Sequence, residues 1–514
     1  MRNNLKKNLL VIITGLVISL LYASPDIIGY LKSNKDFTYI GNSFLWDPWD
    51  VNVYVSVIKF SQIHGFQYKN PYTTLETQNN VVVYPLYTLL GTLFKYANPY
   101  VLYNLAIILF IPILTTSIFF TTFLITKSFK KAYFTVLISS FAGGFGWLLN
   151  DFGISVPDVS VTPFVLANVF QRPHTILALS AYVSSLGFCY AAIVNRERIN
   201  LIFSFIFALI FILFYPYLLL SYGLTIFLFS LLHSLHVSKP KEFRGPLIYL
   251  FILSLLGGVY SYYLLSAQGL DNVFSPDLPT PGIHLFILGI GVFTVSFFKY
   301  IKKYFQDSIF LFIYTWFSVH VFIAYIPHLG FARYYFLGIF IPLTIVLLYF
   351  LESLSKKYKV FTTTLFIIFA SLSCLFILII RIVSVLKING AYFWNRDEIS
   401  AINFIRNNIE SNDGIISTYP FSNFLPALSD NSVYFGHFYQ TPRSQDKIKF
   451  MTRFFNNKMD ESEAMSFLAS NNIDYVVWKN ERIKWHNFPK LDKPDYKTLS
   501  KIFTNNEVTI WKVD

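Results

Sequence analysis

The sequence predicts a polytopic α-helical membrane protein with about eleven transmembrane helices and a C-terminal α/β domain outside the membrane. Three observations lead to this fold class. The 514 residues are 54% hydrophobic and only 13% charged, which is not the composition of a soluble domain. Apolar windows of about 20 residues, the length that crosses a bilayer, recur as far as residue 383. Beyond about residue 385 charged residues become frequent and balanced, and the apolar runs shorten.

The transmembrane helices are predicted directly from the apolar runs. These runs lie at about 8–24, 100–126, 132–149, 175–194, 200–214, 216–236, 246–266, 282–299, 308–326, 333–351 and 360–383. The first run has a basic flank and no small-residue cleavage site, so we expect a retained anchor. The semi-apolar segment 84–97 is predicted to lie at the outer surface, because a span there would reverse every later basic loop.

The net charge of +13 is distributed as a signal of membrane topology. Basic clusters fall at alternate ends of successive spans: Arg2, Lys6 and Lys7; Lys127, Lys130 and Lys131; Arg196 and Arg198; Lys239, Lys241 and Arg244; Lys299, Lys302 and Lys303; Lys356, Lys357 and Lys359. The positive-inside rule makes that side cytoplasmic. We therefore expect a plasma-membrane protein with a cytoplasmic N-terminus, and no nucleic-acid partner.

This topology predicts two domains. Residues 1–384 form a transmembrane module with a large first outer loop at 25–99, and residues 385–514 form an extracytoplasmic soluble domain. Helix and strand patterns alternate in that domain, which suggests α/β architecture, and its last strand alternates like an edge strand. The domain has no glycine-rich phosphate loop. Cys189 and Cys374 lie in separate apolar spans, so we predict neither a disulfide nor a metal–thiolate site.

Polar residues that could carry chemistry fall on the predicted outer side of the membrane. They are Asp47, Asp50, Asn168, Gln171, Arg172, His174, Asp271, Asp277, His328 and Arg333. Arg172 and Arg333 are exceptions in the short outer loops, which otherwise hold no Lys or Arg. An isolated cation at a membrane boundary is costly and usually has a partner, and an anionic lipid phosphate would serve. The alternative is a snorkelling arginine or a structural ion pair.

Other residues in this set also have structural interpretations. Asp47 precedes Pro48, which is a helix-start signal, so Asp47 could cap the helix predicted at 49–63. His174 could be satisfied by the backbone at the start of a helix. The glycines of segment 143–146 favour close helix packing over a phosphate cradle.

The first outer loop follows a fixed order of acid, amphipathic helix, small turn, proline-led helix and second span. Its residues are Asp50 with Tyr54, Gly65, Asn70-Pro71-Tyr72, Tyr84-Pro85 and Gly91. Later segments add Arg172-Pro173-His174, Arg333-Tyr334-Tyr335, and Tyr434-Phe435-Gly436-His437 with Thr441. This pattern resembles the GT-C membrane glycosyltransferases, which include the protein O-mannosyltransferases and the bacterial lipid A aminoarabinose transferases.

The resemblance implies an inverting glycosyltransferase that works at the outer face of the membrane. It would take a sugar from a polyprenyl-phosphate donor and transfer it to a hydroxyl of a glycan, lipid or protein. The reaction needs a base, and we assign that role to Asp50, with Asp47 as the alternative. Tyr54 lies one helical turn after Asp50, on the same face. The substrate-binding candidates are Tyr54, Arg172, His174, His328 and Arg333.

Two departures from related families leave the substrate and a divalent-metal requirement open. The WWDxG pattern of oligosaccharyltransferases is absent, and the adjacent Asp-Glu pair of the O-mannosyltransferases is replaced by two acids three positions apart. Two other classes remain as alternatives. A transporter or flippase of lipid-linked glycans would place charges near the membrane midplane, where the spans carry almost none. An inactive GT-C scaffold would present its C-terminal domain to a partner.

Overall fold

The computed structural model of the protein describes residues 2–44, 48–75, 84–236, 244–267, 280–388, 390–481 and 488–514. Its internal contacts divide the chain into two compact units. The bundle unit comprises Met1–Ser24, Leu105–Tyr262 and Asp277–Ile380. The sheet unit comprises Pro25–Asn104, Tyr263–Pro276 and Arg381–Asp514. The domain boundary predicted at 384/385 stays a prediction, and the first outer loop clusters with the C-terminal segment.

The described secondary structure is mostly helical. In chain order the helices are α1 (Arg2–Lys32), α2 (Pro48–His64), α3 (Pro85–Leu93), α4 (Pro99–Thr126), α5 (Phe129–Phe141), α6 (Gly146–Leu149), α7 (Pro157–Ser160), α8 (Leu166–Val169), α9 (Pro173–Asn195), α10 (Arg198–Phe214), α11 (Leu218–His236), α12 (Arg244–Ala267), α13 (Ile283–Ile290), α14 (Phe293–Tyr300), α15 (Ser308–Ala324), α16 (Phe340–Glu352), α17 (Lys356–Leu386), α18 (Arg396–Asn408), α19 (Phe421–Ser429), α20 (Ser444–Phe455) and α21 (Glu461–Ser470). Short 3₁₀ helices occupy Asn150–Phe152, Ile301–Lys303 and Ala332–Phe336.

The apolar helices make this chain a multi-pass membrane protein. Among the described residues, 8 helices are long and apolar enough to cross a membrane, and one bent pair would add a ninth. Two further apolar helices, α10 and α15, have 17 residues each. At 1.5 Å per residue they reach about 25 Å, slightly short of a hydrocarbon core of about 30 Å. The predicted total of eleven spans stays a prediction. Helix α3 has 9 residues and is too short to cross.

Two of the predicted spans are interrupted. The span predicted at 282–299 is the bent pair, in which the second helix turns by 98° from the first. The chain turns at Gly291, whose φ of 53° lies in the left-handed region that favours glycine. The span predicted at 132–149 is interrupted after Phe141 and resumes at Gly146. Apolar composition alone could not locate either break.

The glycines of segment 143–146 allow the two interruptions to pack together. A Cβ atom on Gly144 would lie 2.2 Å from the carbonyl oxygen of Leu288. The amide groups of Gly144 and Gly146 donate hydrogen bonds to Asp158 Oδ2 over 2.7 and 3.2 Å. These two amides are therefore already bonded within the protein, which agrees with the packing interpretation and not with a phosphate cradle.

Gly144→Ala is expected to lower the thermal stability of the protein. The added methyl group would meet backbone carbonyls of Leu288 and Gly289 at 2.2 and 2.3 Å, so two backbones must separate, at a cost of about 1–3 kcal/mol. Gly223→Ala in α11 is the matched control, because nothing lies within 4 Å of its added Cβ. Thermal unfolding in detergent should show a lower midpoint for the first variant only. Equal midpoints for the two variants would contradict the packing described above.

The sheet unit contains a mixed five-stranded sheet and a small ribbon. The strands are β1 (Phe37–Tyr39), β2 (Phe393–Asn395), β3 (Gly414–Ser417), β4 (Ser432–Val433), β5 (Tyr475–Lys479), β6 (Leu499–Thr504) and β7 (Val508–Val513). The sheet has the order β4-β3-β5-β7-β6, with β4, β3 and β5 parallel and the last two strands antiparallel. The α/β prediction is confirmed in type. Strand β7 is not the edge strand that its alternation predicted, because β6 pairs along its outer side.

The first outer loop is part of the core of the sheet unit. Val53 of α2 and the fully buried Tyr72 belong to the same hydrophobic cluster as the strands and helices of the C-terminal segment, and Trp49 packs against it. Strand β1 also pairs with β2 in antiparallel fashion. The loop is therefore an integral element of this unit.

A buried ion pair joins α1 to α17 within the sheet unit. Arg381 Nη2 lies 3.1 Å from Asp26 Oδ2, with the two side chains 3% and 10% exposed. Ser43 contacts both partners: it accepts from Arg381 Nη2 over 2.7 Å and donates from its hydroxyl to Asp26 Oδ1 over 2.8 Å. The hydroxyl of Tyr39 also donates to Asp26. The charges are thus both paired and hydrogen-bonded, as a buried pair requires.

Candidate functional site

The predicted base Asp50 lies in the first turn of α2 and pairs with a histidine from the far end of the chain. Helix α2 begins at Pro48, whose fixed φ suits a first helical position. Asp50 Oδ1 lies 3.0 Å from His437 Nε2, and the two side chains are 24% and 2% exposed. A partly exposed carboxylate is thus held on one oxygen by a buried ring.

The hydrogen bonds around His437 define the protonation of its ring. The backbone amides of Tyr439 and Gln440 both donate to Nδ1, each over 3.1 Å. An atom that accepts two N–H groups carries a lone pair, so in the neutral ring the proton lies on Nε2. His437 Nε2 therefore donates to Asp50 Oδ1, and the carboxylate accepts.

Amide side chains fix α2 to the rest of the sheet unit beside this pair. Asn52 donates to Asn423 Oδ1 over 2.6 Å and accepts from the Tyr100 hydroxyl over 2.6 Å. Asn423 donates in turn to the carbonyl of Gly436, next to His437, over 2.8 Å. This chain of bonds links the helix that carries Asp50 to the turn that carries His437.

Tyrosine rings surround this part of α2. Tyr54 is half-buried and lies against Tyr84 and Tyr87, with ring centroids 5.8 and 4.9 Å away. The hydroxyl of Tyr84 accepts from Gln440 Nε2 over 3.2 Å. Burial raises the pKa of Tyr84 to about 12, opposed by the Gln440 hydrogen bond and assisted by the charge of Asp50. Tyr84 therefore keeps its proton at neutral pH.

The bundle unit brings two other predicted site residues, Arg172 and His174, into one group of side chains. Arg172 is 2% exposed and precedes α9, which begins at Pro173. Its Nη1 donates to the hydroxyl of Tyr334 over 3.4 Å. The ring of His174 lies edge-on to Tyr215 at 5.6 Å, and Tyr215 is 6.0 Å from the ring of Tyr334. These contacts define one group of side chains, the arginine cluster, which consists of Arg172, His174, Tyr215 and Tyr334.

Arg333 adjoins this cluster through its neighbour Tyr334 in the 3₁₀ helix Ala332–Phe336. Its Nε atom is buried and has no hydrogen-bond partner within the described part of the chain. The amide nitrogen of Asn168, four residues before Arg172, is likewise buried and unpartnered among the described residues. A buried guanidinium nitrogen without an acceptor is costly unless an anion supplies one. These donors suit an anionic ligand.

The remaining predicted residues lie elsewhere. Asp47, Asp271 and Asp277 lie outside the described residues. His328 is exposed, in a left-handed backbone conformation with φ of 58°. No hydrogen bond or ring contact joins it to the arginine cluster within the residues that the structure describes. Asp50 and Tyr54 belong to the sheet unit, whereas the arginine cluster belongs to the bundle unit.

Sequence reasoning gave His437 no separate role and did not single out Asp158. His437 was part of the resemblance pattern, but nothing in the sequence paired it with Asp50, 387 positions away. Asp158 is fully buried between the third and fourth predicted spans, and burial raises its pKa to about 6. The local sequence signals for Asp158 were weak. Pro157, the residue before it, favours a turn, and Gly146 lies 12 positions earlier.

Side chains that can bind a metal ion are scattered over the described part of the chain. Within the described residues, no three or more His, Cys, Asp or Glu side chains are grouped to hold a metal ion. Asp50 and His437 bond to each other, and they offer too few donors for a closed site by themselves. Cys189 and Cys374 are both buried free thiols.

Comparisons with known proteins identify the fold. No family model matches the sequence, and no curated protein matches it significantly. The chain resembles the archaeal oligosaccharyltransferase AglB from Archaeoglobus fulgidus, solved with an inhibitory peptide and a dolichol-phosphate. The TM-score is 0.54 at 13% identity, over 92% of this chain and 69% of that one.

Two further structures of the Archaeoglobus fulgidus oligosaccharyltransferase match over the same shares, 92% of this chain and 69% of the other. The apo form gives a TM-score of 0.53 at 12% identity. The form tethered by a disulfide to an acceptor peptide with an NVT sequon gives 0.51 at 12% identity. The chain therefore shares the fold of this oligosaccharyltransferase.

Proposed function

We propose, from the premise of a GT-C fold, that this chain is an integral membrane glycosyltransferase. It would act at the outer face of the membrane. It would transfer a sugar from a polyprenyl-phosphate-linked donor to an acceptor hydroxyl. The observation that carries the proposal is the Asp50–His437 pair, a partly exposed carboxylate at 24% exposure held by a buried ring. The dolichol-phosphate bound to the archaeal neighbour supports a lipid-linked donor.

In the proposed reaction Asp50 acts as the general base. The acceptor oxygen attacks the anomeric carbon of the sugar while Asp50 takes the hydroxyl proton. A new carbon–oxygen bond forms, and the bond between the anomeric carbon and the phosphate oxygen breaks on the opposite face. The polyprenyl phosphate leaves with the bonding electron pair, and the configuration at the anomeric carbon inverts. Tyr54 and its neighbouring rings offer apolar faces beside the carboxylate.

The arginine cluster of the bundle unit is proposed to bind the phosphate of a lipid donor. A guanidinium forms two parallel hydrogen bonds to a phosphate, and such bonds strengthen as the leaving group gains charge. The observation that supports an anionic ligand is the buried Nε atom of Arg333, which has no hydrogen-bond partner among the described residues. Arg172, which bonds to the hydroxyl of Tyr334, and His174 are proposed as further donors, and we retain His328 as a candidate despite its exposure.

Arg333→Ala is expected to lower sugar transfer by about 10²- to 10³-fold, the usual cost of one donor to a developing charge. Arg333→Lys keeps the charge but loses the planar fork, so we expect an intermediate rate. Initial rates with a polyprenyl-phosphate sugar would measure both. Arg198→Ala, at an exposed position, is the matched control and should leave the rate unchanged. Equal rates for Arg333→Ala and the control would remove Arg333 from phosphate binding.

The proposal as a whole is tested by sugar transfer from purified protein in lipid bilayers. The donors are a panel of polyprenyl-phosphate sugars, the acceptors are envelope glycans, lipids and peptides, and the product measured is free polyprenyl phosphate. Turnover that depends on an acceptor would support the enzyme. Movement of an intact lipid-linked glycan across the bilayer, without turnover, would establish a transporter instead. Absence of both activities would favour an inactive scaffold.

A further inference from the structure

We propose that His437 is a positioning residue for Asp50, so that the C-terminal segment of the chain completes the base of the first outer loop. The inference rests on the proposed function, because it assigns Asp50 the role of base. His437 stands in the sequence pattern without a role, and the likeness of fold does not assign it one. Three features of the sheet unit carry it.

The first feature is the turn that holds the ring. The hydroxyl of Thr441 accepts from the amides of Gly436 and His437 over 3.3 and 3.2 Å. The amide of Thr441 donates back to the carbonyl of His437 over 2.9 Å. With Tyr439 and Gln440 also donating to Nδ1, both the backbone and the ring of His437 are fixed.

The second feature is burial. His437 is 2% exposed, and its Nε2–H donates to Asp50 Oδ1 over 3.0 Å. A buried donor without an acceptor is costly, so the folded state strongly favours the conformation in which this hydrogen bond is made. An aspartate side chain at a helix start otherwise turns about two bonds, and this hydrogen bond restricts that freedom.

The third feature is close packing behind the ring. The aromatic ring of Tyr72 lies 5.9 Å from that of His437, and a Cβ on Gly436 would be only 2.7 Å from the ring of Tyr72. Tyr72 itself is fully buried and donates its hydroxyl to the carbonyl of Asn423. The histidine therefore has little space in which to turn away from Asp50.

A purely structural role is the competing explanation, in which His437 only closes its own turn through Nδ1. Two amide variants separate the roles, because each copies one ring nitrogen. His437→Asn places an amide oxygen near Nδ1, so it keeps the acceptor for the turn and loses the bond to Asp50. His437→Gln reaches the position of Nε2, so it keeps the donor to Asp50 and loses the turn acceptor.

The experiment compares sugar transfer by the full-length wild type and the two variants in lipid bilayers. If His437 positions Asp50, His437→Asn should lose on the order of 10²-fold in kcat with little change in KM, the cost of a misplaced group. His437→Gln should then be clearly faster than His437→Asn although it is less stable to heat. The reverse order of rates, with His437→Asn close to wild type, would overturn the proposal.

A second readout does not depend on activity. Nitrogen-15 NMR of histidine-labelled full-length protein, with His437 assigned from the spectrum of His437→Gln, reports which ring nitrogen is protonated. The proposal expects Nε2–H and a shift of that signal in Asp50→Asn. A proton on Nδ1, or a signal unchanged by Asp50→Asn, would overturn it. If wild type transfers no sugar while the pair is seen by NMR, the proposed function fails and the pairing stands.

Discussion

Asp50→Asn is expected to lower sugar transfer by about 10²- to 10⁴-fold, the usual contribution of a general base. The asparagine amide cannot take a proton from the acceptor hydroxyl. Its oxygen can still accept the hydrogen bond from His437 Nε2, so the contact seen at 3.0 Å need not be lost. The side chain is partly exposed, and the exchange of shape is small. The fold should therefore survive while the rate falls.

The controls for this variant separate the base from other acids. Asp50→Glu keeps a carboxylate but moves it by one methylene, so we expect partial activity. Asp446→Asn, in an exposed side chain with 62% accessibility, should leave transfer unchanged. Turnover that persists in Asp50→Asn and is lost in Asp47→Asn would move the base to Asp47. Rates should be compared well below the thermal midpoint of each variant, so that unfolding is not mistaken for a loss of catalysis.

Arg381→Met is expected to destabilise the protein by about 3–5 kcal/mol, because it leaves the buried Asp26 carboxylate without its countercharge. Ser43 and Tyr39 still donate to that carboxylate, which limits the loss without replacing the charge. Methionine fills a similar volume, so the effect reports the charge more than a cavity. The thermal midpoint in detergent micelles is the measurement.

A double variant identifies the cause of that loss. Arg381→Met combined with Asp26→Asn removes both charges, and it should be more stable than Arg381→Met alone. Lys449→Met breaks an exposed pair with Asp446 and should change stability by about 1 kcal/mol or less. If the double variant is no more stable than the single one, the ion pair is not the reason for the loss.

Much of the architecture could be predicted from the sequence, because membrane-spanning helices need long apolar runs and segments exposed to water carry charged residues. Long apolar runs predicted the positions of the helices, and the helix predicted at 49–63 runs from Pro48 to His64. The interruptions within two spans depended on contacts between distant glycines, such as Gly144 against Leu288, and no local pattern encodes those. Strand β6 was missed for a similar reason, since its pairing with β7 decides which strand is the edge.

The candidate site could likewise be predicted from the sequence only in part. Arg172 and Arg333 could be selected from the sequence because the short outer loops otherwise hold no Lys or Arg. Their grouping with Tyr334 and His174 needed the fold. The partner of Asp50 was unpredictable, because residues 387 positions apart share no periodicity or spacing rule. The roles assigned to Asp50, Asp47 and the arginines stay predictions.

The shared core of the first outer loop and the C-terminal segment has a consequence for biosynthesis. The ribosome makes α2 hundreds of residues before it makes Asn423, yet Asn52 of α2 bonds to that residue. Val53 and Tyr72 also bury themselves among residues that are translated last. Such distant contacts close a large loop and form slowly. The helices of the membrane can insert one after another, whereas the carboxylate of Asp50 acquires its partner only after residue 437 has been translated. A nascent or truncated chain that ends before residue 437 would therefore hold its membrane helices without the Asp50–His437 pair.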